Sequence, residues 1–119
     1  MKIRCHANSI RLRVRKSDVE ILENNGAVRE EILFGPGQAL VFELCMEERP
    51  AITASLEGNL VKICMPQQLA LSWIQSETVG LEHHQALPNG EALHLLIEKD
   101  FPCKHQPMED KSDTFQELA

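Results

Sequence analysis

The chain has 119 residues, of which 43% are apolar and 25% are charged, and its formal net charge is −6. These figures are typical of a soluble globular protein and exclude a chain that is disordered throughout. The aromatic residues are four phenylalanines and one tryptophan, with no tyrosine, which argues against a protein that stacks single-stranded bases on aromatic side chains.

The first predicted element is a β-hairpin over residues 1–14, with a two-residue turn at Ala7-Asn8 that sets the register of its strands. One face is then apolar and consists of the pairs Cys5–Ile10, Ile3–Leu12 and Met1–Val14. The other face is polar and consists of the pairs Arg4–Arg11, Lys2–Arg13 and His6–Ser9. A slip of one residue would exchange the two faces, so the alternation of apolar and basic residues favours this register.

A short helix and a second hairpin are predicted to follow. The helix begins at Ser17, which forms a capping-box pattern with Glu20, and it ends at Asn25-Gly26. Its predicted buried residues are Val19 and Leu22. The second hairpin turns at residues 35–37, between the apolar residues 32–34 and the apolar positions Leu40, Phe42 and Leu44.

The same order of elements returns in the second half of the chain. Gly58-Asn59 is the turn of a third hairpin, and its apolar face consists of the pairs Leu56–Val61, Ala54–Ile63 and Ile52–Met65. Pro66 starts a second helix, whose predicted buried residues are Leu69, Ala70 and Trp73. A fourth hairpin turns at residues 88–90, and its apolar positions are Val79, Leu81, Leu93, Leu95 and Ile97.

The two halves match each other in polarity, residues 8–14 with residues 59–65 and residues 37–40 with residues 90–93. A unit of about 50 residues buries too little surface to be stable alone. We therefore predict an α+β, β-rich fold of two tandem β-β-α-β-β copies, residues 1–50 and 51–99. The copies are expected to pack as one globular unit about a pseudo-two-fold axis. Residues 100–119 are predicted to form an acidic C-terminal arm.

This pattern resembles the AbrB/MazE swapped-hairpin family. The residues that carry the resemblance are Ala7-Asn8-Ser9 with Arg13-Val14-Arg15 in the first copy, and Gly58-Asn59 with Cys64-Met65-Pro66 in the second. In that family two chains interleave their hairpins, so the resemblance implies that the two halves interleave within one chain. It also implies that Arg4 and Arg13 bind duplex DNA from the outer face of the first hairpin, with Arg11 as their neighbour. The second copy has Ser55 and Cys64 at the matching positions.

The whole chain also resembles a group of small bacterial proteins of unassigned function. The shared features are the opening residues 1–4 with residues 8–13, residues 98–101 followed by Cys103, and an acidic end near Asp113 and Phe115. This resemblance implies no activity. The acidic arm is similar in composition to the toxin-wrapping tail of MazE-type antitoxins.

Basic residues are concentrated in residues 1–16, which contain six of them and no acid. The candidate anion-binding residues are Lys2, Arg4, Arg11, Arg13 and Arg15. Like charges placed opposite each other destabilise a hairpin unless an anion lies nearby. That anion is either duplex DNA, an acidic partner protein, or the protein's own acids, for which the candidates are Glu30, Glu31, Glu47 and the arm.

No catalytic residue, cofactor or metal site is predicted. The sequence has no G-x-S-x-G, H-E-x-x-H or glycine-rich phosphate loop, and the pairs Cys103/His105 and His83/His84 lack the paired spacing of a zinc site. No apolar run is long enough for a membrane span or a signal peptide. The four cysteines are therefore expected to be reduced thiols of a cytoplasmic protein, with Cys5 facing the core and Cys64 on the outer face.

The sequence thus predicts a non-enzymatic binding protein on an AbrB/MazE-like scaffold, which binds duplex DNA through the basic hairpin. The alternative is a protein-interaction or structural module without DNA binding, either a monomer with internal pseudo-symmetry or a homodimer. A remote alternative is a metal-binding or enzymatic tail that uses Cys103 and His105. The candidate partner-binding residues are Phe101, Cys103 and Phe115.

Overall fold

The computed structural model describes residues 1–101. Within this range 56% of the residues are in strands and 19% in helices, which confirms the predicted β-rich α+β class. The elements are β1 (Lys2–His6), β2 (Ser9–Val14), α1 (Lys16–Asn25), β3 (Ala27–Gly35), β4 (Gln38–Glu47), β5 (Thr53–Glu57), β6 (Leu60–Pro66), α2 (Gln67–Gln75), β7 (Gly80–Ala86) and β8 (Ala92–Lys99). Over residues 1–101, no helix is long and apolar enough to cross a membrane.

The strands form two four-stranded sheets, in the orders β1-β2-β8-β7 and β3-β4-β6-β5. The four hairpins are antiparallel, whereas β2 pairs with β8 and β4 pairs with β6 in parallel. Each sheet therefore combines one hairpin from the first half of the chain with one from the second half. The parallel pairs, β2 with β8 and β4 with β6, join the hairpins and lie at the centre of each sheet.

The predicted register of the first hairpin is confirmed, since Ile3 lies opposite Leu12 and Arg4 lies opposite Arg11. The turn residues Ala7 and Asn8 have φ angles of 45° and 58°. Two consecutive positive φ angles produce the twist that tightly turned hairpins require. In the third hairpin, Leu56 lies opposite Val61 and Ala54 opposite Ile63, also as predicted.

The asparagine in the turn of each of these hairpins bonds to a strand from the other hairpin of its sheet. The Asn8 side chain donates a hydrogen bond to the Ala92 carbonyl (2.9 Å), and the Asn8 carbonyl accepts one from the amide of His94 (3.2 Å). The Asn59 side chain donates to the carbonyl of Ala39 (2.9 Å), and the Asn59 carbonyl accepts from the amide of Val41 (2.9 Å). The same pair of contacts thus starts both parallel ladders.

One hydrophobic cluster lies between the elements and includes residues from the four central strands and both helices. Its fully buried side chains include Leu12, Leu22, Leu44, Ile63, Met65, Trp73, Leu95 and Ile97. Because both halves supply these side chains, neither half has a core of its own.

The two helices differ from the prediction in detail. Helix α1 begins one residue earlier than predicted, and its cap is formed by the carboxylate of Asp18, which accepts a hydrogen bond from the Arg15 amide (2.9 Å). A buried carboxylate at this position therefore replaces the predicted Ser17–Glu20 capping box. The end of α1 is as predicted, because Gly26 has a φ of 80° and donates its amide to the Leu22 carbonyl (2.8 Å), a geometry that favours glycine. In α2 the predicted burial of Leu69 is wrong, since that side chain is 40% exposed.

The expectations for the cysteines also need correction. Cys45 and Cys64 form a disulfide, with their Cα atoms 4.8 Å apart at opposing positions of the parallel strands β4 and β6. They are therefore not reduced thiols, and Cys64 is buried rather than exposed on the outer face. Cys5, expected to face the core, is an exposed free thiol, because it lies near the turn on the edge strand β1.

Candidate functional site

The candidate site is the outer face of the β1-β2-β8-β7 sheet, opposite the hydrophobic cluster. We call it the outer sheet face. The strand registers arrange its residues in three rows that cross β1, β2, β8 and β7 in that order. The rows are His6, Ser9, His94, His84; then Arg4, Arg11, Leu96, Glu82; then Lys2, Arg13, Glu98, Gly80. Four of the five predicted anion-binding residues therefore share one surface.

Two of these basic side chains are paired with acids. Arg11 Nε lies 2.5 Å from Glu98 Oε1, and Lys2 Nζ lies 3.1 Å from Asp100 Oδ2. Over residues 1–101, Arg4 and Arg13 have no ion-pair partner. The outer sheet face thus keeps two arginines on its β1–β2 half that form no ion pair with a described acid, although Glu98 is the register neighbour of Arg13.

The acids that neutralise part of this face are only in part the ones that the sequence suggested, since Asp100 belongs to the predicted arm whereas Glu98 is not one of the candidates. Glu30 lies 3.2 Å from the N-terminal amine of Met1, and Glu47 pairs with Arg49 and Lys62 on the other sheet. Glu31 forms no ion pair with any described residue. Glu98 and Asp100 are at the site because β8 lies parallel to β2, a long-range pairing that no local sequence pattern reports.

Arg15 is separated from the outer sheet face. It lies at the start of α1, where its Nε is 3.5 Å from the Asp18 carboxylate. Asp18 is buried and also lies 2.9 Å from the Met1 amine. Burial raises the pKa of Asp18, but the hydrogen bonds from the Met1 amine and the Arg15 amide outweigh it, so the pKa lies below its ordinary value. The role that we assign to Arg15 is therefore to stabilise the helix start.

A shallow cavity of about 350 Å³ opens on the outer sheet face. Its lining residues are Arg4, His6, Ser9, Ile10, Arg11, His94 and Leu96. The guanidinium and imidazole groups of this lining can hydrogen-bond to phosphate or carboxylate oxygens, whereas the Ser9 hydroxyl already donates to the His6 carbonyl. The cavity therefore offers an anion several donors at once.

On the corresponding face of the other sheet, the basic side chains are paired with acids. Arg29 Nε is 2.7 Å from Glu43 Oε1, and Lys62 Nζ is 3.2 Å from Glu47 Oε1. Both basic side chains that strands β3 to β6 contribute are thus paired. The two sheets therefore differ in that only the sheet with β1 and β2 has outward-facing arginines without an ion-pair partner among the described residues.

The predicted partner-binding residues are only in part described. Phe101 follows β8 and is 49% exposed. Cys103 and Phe115 lie outside the described residues, as does His105. Phe101 is therefore the one member of this group whose surroundings are known, and it lies next to Asp100, which pairs with Lys2.

Comparison with known proteins shows a match to a family of unknown function (DUF7009) over residues 1–118. No curated protein and no solved structure matches the chain. The family match agrees with the resemblance to proteins of unassigned function, and it supplies no activity.

Proposed function

The chain belongs to this family of unknown function, and we propose that it is a non-enzymatic binding protein that binds duplex DNA through the β1–β2 half of the outer sheet face. The observation that carries the proposal is the pair Arg4 and Arg13, two outward-facing arginines without an ion-pair partner among residues 1–101. Phosphate contacts from such side chains provide most of the non-specific affinity of proteins for DNA.

We further propose that the two halves derive from one duplicated unit with the swapped-hairpin arrangement of the AbrB/MazE family. The exchange of hairpins between the sheets supports this. So do the matching contacts of Asn8 and Asn59, each of which joins a turn to a parallel strand of the other half. On this scaffold the first hairpin is the element for which DNA binding is expected. The third hairpin has Ser55 and Cys64 at the positions that match Arg4 and Arg13, and its one basic residue, Lys62, is paired with Glu47.

The electrostatics of the face favour an extended polyanion. Arg4 and Arg13 are diagonal neighbours on adjacent strands, one row apart, a separation of about 7–8 Å for such positions. Arg11 is the direct neighbour of Arg4 and is held by Glu98. A ligand with several regularly spaced negative charges, such as a DNA backbone, can place a separate phosphate at each of the two free arginines.

The test measures the affinity for a fluorescent DNA duplex by anisotropy, in a salt series from about 50 to 200 mM with a metal chelator present. The variant carries Arg4→Ala with Arg13→Ala. Because the salt dependence has a slope of about −0.9 for each phosphate contact, we expect the slope to become shallower by about 2 and the affinity at low salt to fall.

The matched control carries Arg29→Ala with Arg49→Ala, which removes the same charge from the other sheet and the loop beside it. We expect this control to keep the wild-type slope, provided that its circular dichroism shows a folded protein. If wild type does not bind duplex DNA at about 50 mM salt, the proposal is wrong. Equal loss of slope in both double variants would show that net charge alone, and not the outer sheet face, determines binding.

A second candidate function, a protein-interaction module, is favoured by a different observation. Leu33 and Phe34 lie at the tip of the β3–β4 hairpin and are 73% and 69% exposed. Adjacent exposed apolar side chains of this size are typical of contact sites. Sedimentation equilibrium of wild type against Leu33→Ser with Phe34→Ser tests association of two copies through this tip. A wild-type chain that stays monomeric at about 100 μM contradicts such association.

A further inference from the structure

Three metal-ligating side chains meet on the β7–β8 half of the outer sheet face. His84 on β7 lies directly opposite His94 on β8, and Glu82 precedes His84 by two residues. Side chains two residues apart on a strand share a face, so all three point outward. His83, between them in sequence, points to the opposite face. Local spacing does not reveal this group, because His94 comes from a different strand of the hairpin.

The three ligand atoms are already close to one another. Glu82 Oε1 is 2.9 Å from His94 Nε2 and 3.8 Å from His84 Nε2, and one ligand atom from each residue lies within 4.8 Å of the other two. The two imidazole rings are stacked, with centroids 4.5 Å apart and planes 5° from parallel. In tetrahedral zinc sites the bonds are about 2.0–2.1 Å long, which places neighbouring ligand atoms about 3.3 Å apart. The nitrogen lone pairs lie in the ring planes, so the two imidazoles must rotate out of the parallel stack before both nitrogens reach one ion, and both side chains are exposed enough to do so.

Few other described groups compete with a metal ion for these three side chains. Over residues 1–101, the only ion-pair partners of Glu82 are His84 and His94, so no described arginine or lysine occupies the carboxylate. All three side chains are more than one-third exposed, which leaves room for an ion to enter. Among the described residues, a second close group of potential ligands consists of Cys45, Glu47 and Cys64, but the two sulfur atoms are used in the disulfide.

We propose that Glu82, His84 and His94 bind Zn²⁺. Two imidazole nitrogens and one carboxylate oxygen are a donor set that zinc accepts, whereas Mg²⁺ and Ca²⁺ prefer oxygen ligands alone. Three protein ligands leave the fourth position of the tetrahedron open.

The site adjoins the cavity described above, since His94 lines the cavity and lies in the same row as His6 and Ser9. The proposed zinc site therefore lies on the same surface as Arg4 and Arg11. A bound Zn²⁺ offsets the charge of Glu82 and adds a positive centre at that edge, so the fourth ligand is water or an anionic oxygen. The site depends only on β7 and β8 and does not require that the chain bind DNA.

Zinc binding is tested with the full chain after treatment with EDTA and dialysis, by competition for Zn²⁺ with a chromophoric chelator and without DNA. We expect one equivalent of Zn²⁺ per chain. His84→Ala and His94→Ala should each weaken binding at least about 30-fold, and Glu82→Gln about 10-fold, because each removes a direct ligand. His83→Gln is the matched control, adjacent in sequence but on the opposite face, and should bind as wild type does.

A second variant, Cys103→Ser with His105→Ala, separates this site from the segment outside the described residues. It should keep full zinc binding. The proposal is overturned if wild type binds less than about 0.1 equivalent. It is also overturned if His84→Ala and His94→Ala bind as tightly as wild type, or if only the Cys103→Ser, His105→Ala variant loses the ion. Circular dichroism of every variant shows that losses are not due to unfolding.

Discussion

Replacing Asp18 by asparagine removes a buried charge on which three groups depend. The carboxylate lies 2.9 Å from the Met1 amine, accepts a hydrogen bond from the Arg15 amide (2.9 Å) and lies 3.5 Å from Arg15 Nε. The amide of the introduced side chain would keep an oxygen that accepts the helix-cap bond. It would lose the charge that pairs with the buried amine.

The size of the effect follows from these contacts. Hydrogen bonds to charged groups contribute about 1.5–3 kcal/mol, and removing one partner of a buried ion pair costs about 3–5 kcal/mol. Glu30 remains 3.2 Å from the Met1 amine and keeps part of the pairing. We therefore expect Asp18→Asn to lower the free energy of unfolding by about 2–3 kcal/mol, or the midpoint of thermal unfolding by about 8–12 °C for a chain of this length.

The assay is urea unfolding followed by the fluorescence of Trp73, which is the single tryptophan and is 1% exposed. The protein must carry a free amine on Met1. Because the pKa of Asp18 is lower in the folded state, its stabilising effect is complete above the pKa of the unfolded chain and is lost as the pH falls through the folded value. The difference between wild type and Asp18→Asn is thus full at about pH 7 and disappears in strong acid.

Glu20→Gln is the matched control, because Glu20 is an exposed acid on the same helix. Its effect should stay within about 0.5 kcal/mol. If Asp18→Asn changes the stability at about pH 7 by less than about 0.5 kcal/mol, the buried ion pair does not stabilise the fold. A difference of the same size at about pH 7 and at about pH 2 would also refute the reasoning, since its source would not be the charge.

Two further predictions concern the contacts that connect the two hairpins of each sheet. Asn8→Ala and Asn59→Ala each remove one side-chain hydrogen bond to the other half and should each lower stability by about 1 kcal/mol in urea unfolding. Asn8→Ala should cost more, because Asn8 has a φ of 58°, a conformation that asparagine adopts more readily than alanine. An unchanged stability for Asn59→Ala would contradict a role for these bonds. Reduction of the Cys45–Cys64 disulfide, whose cysteines are 19 residues apart, should lower stability by about 3 kcal/mol. Cys64→Ser should make stability insensitive to reductant, and continued sensitivity would place the disulfide elsewhere.

Local features of this fold follow from the sequence, whereas contacts between distant strands do not. The register of the first hairpin is set by a two-residue turn and by the alternation of apolar and basic residues, both of which are visible in residues 1–14. The partnership of Arg11 with Glu98 requires the parallel pairing of β2 and β8 in one register. The disulfide between Cys45 and Cys64 depends in the same way on β4 and β6. Each contact joins strands that no single hairpin contains.

The same distinction between local and long-range contacts applies to the candidate site. The basic half of the outer sheet face is a property of one hairpin and is predictable residue by residue, apart from Arg15, which lies at a helix start. The acids that offset two of its charges, and the group of Glu82, His84 and His94, come from the second half of the chain. Their place beside the basic hairpin depends on the exchange of hairpins between the sheets.

The most direct test of DNA binding at the outer sheet face is the salt slope of duplex binding for Glu98→Gln. This substitution removes the acid that holds Arg11, so a third arginine becomes available beside Arg4 and Arg13. We predict tighter binding than wild type and a slope steeper by about 0.9, the value for one added phosphate contact. Glu57→Gln, which removes the same charge from the other sheet, should leave the slope unchanged. An unchanged slope for Glu98→Gln, or an equal gain in both variants, would contradict binding at this face.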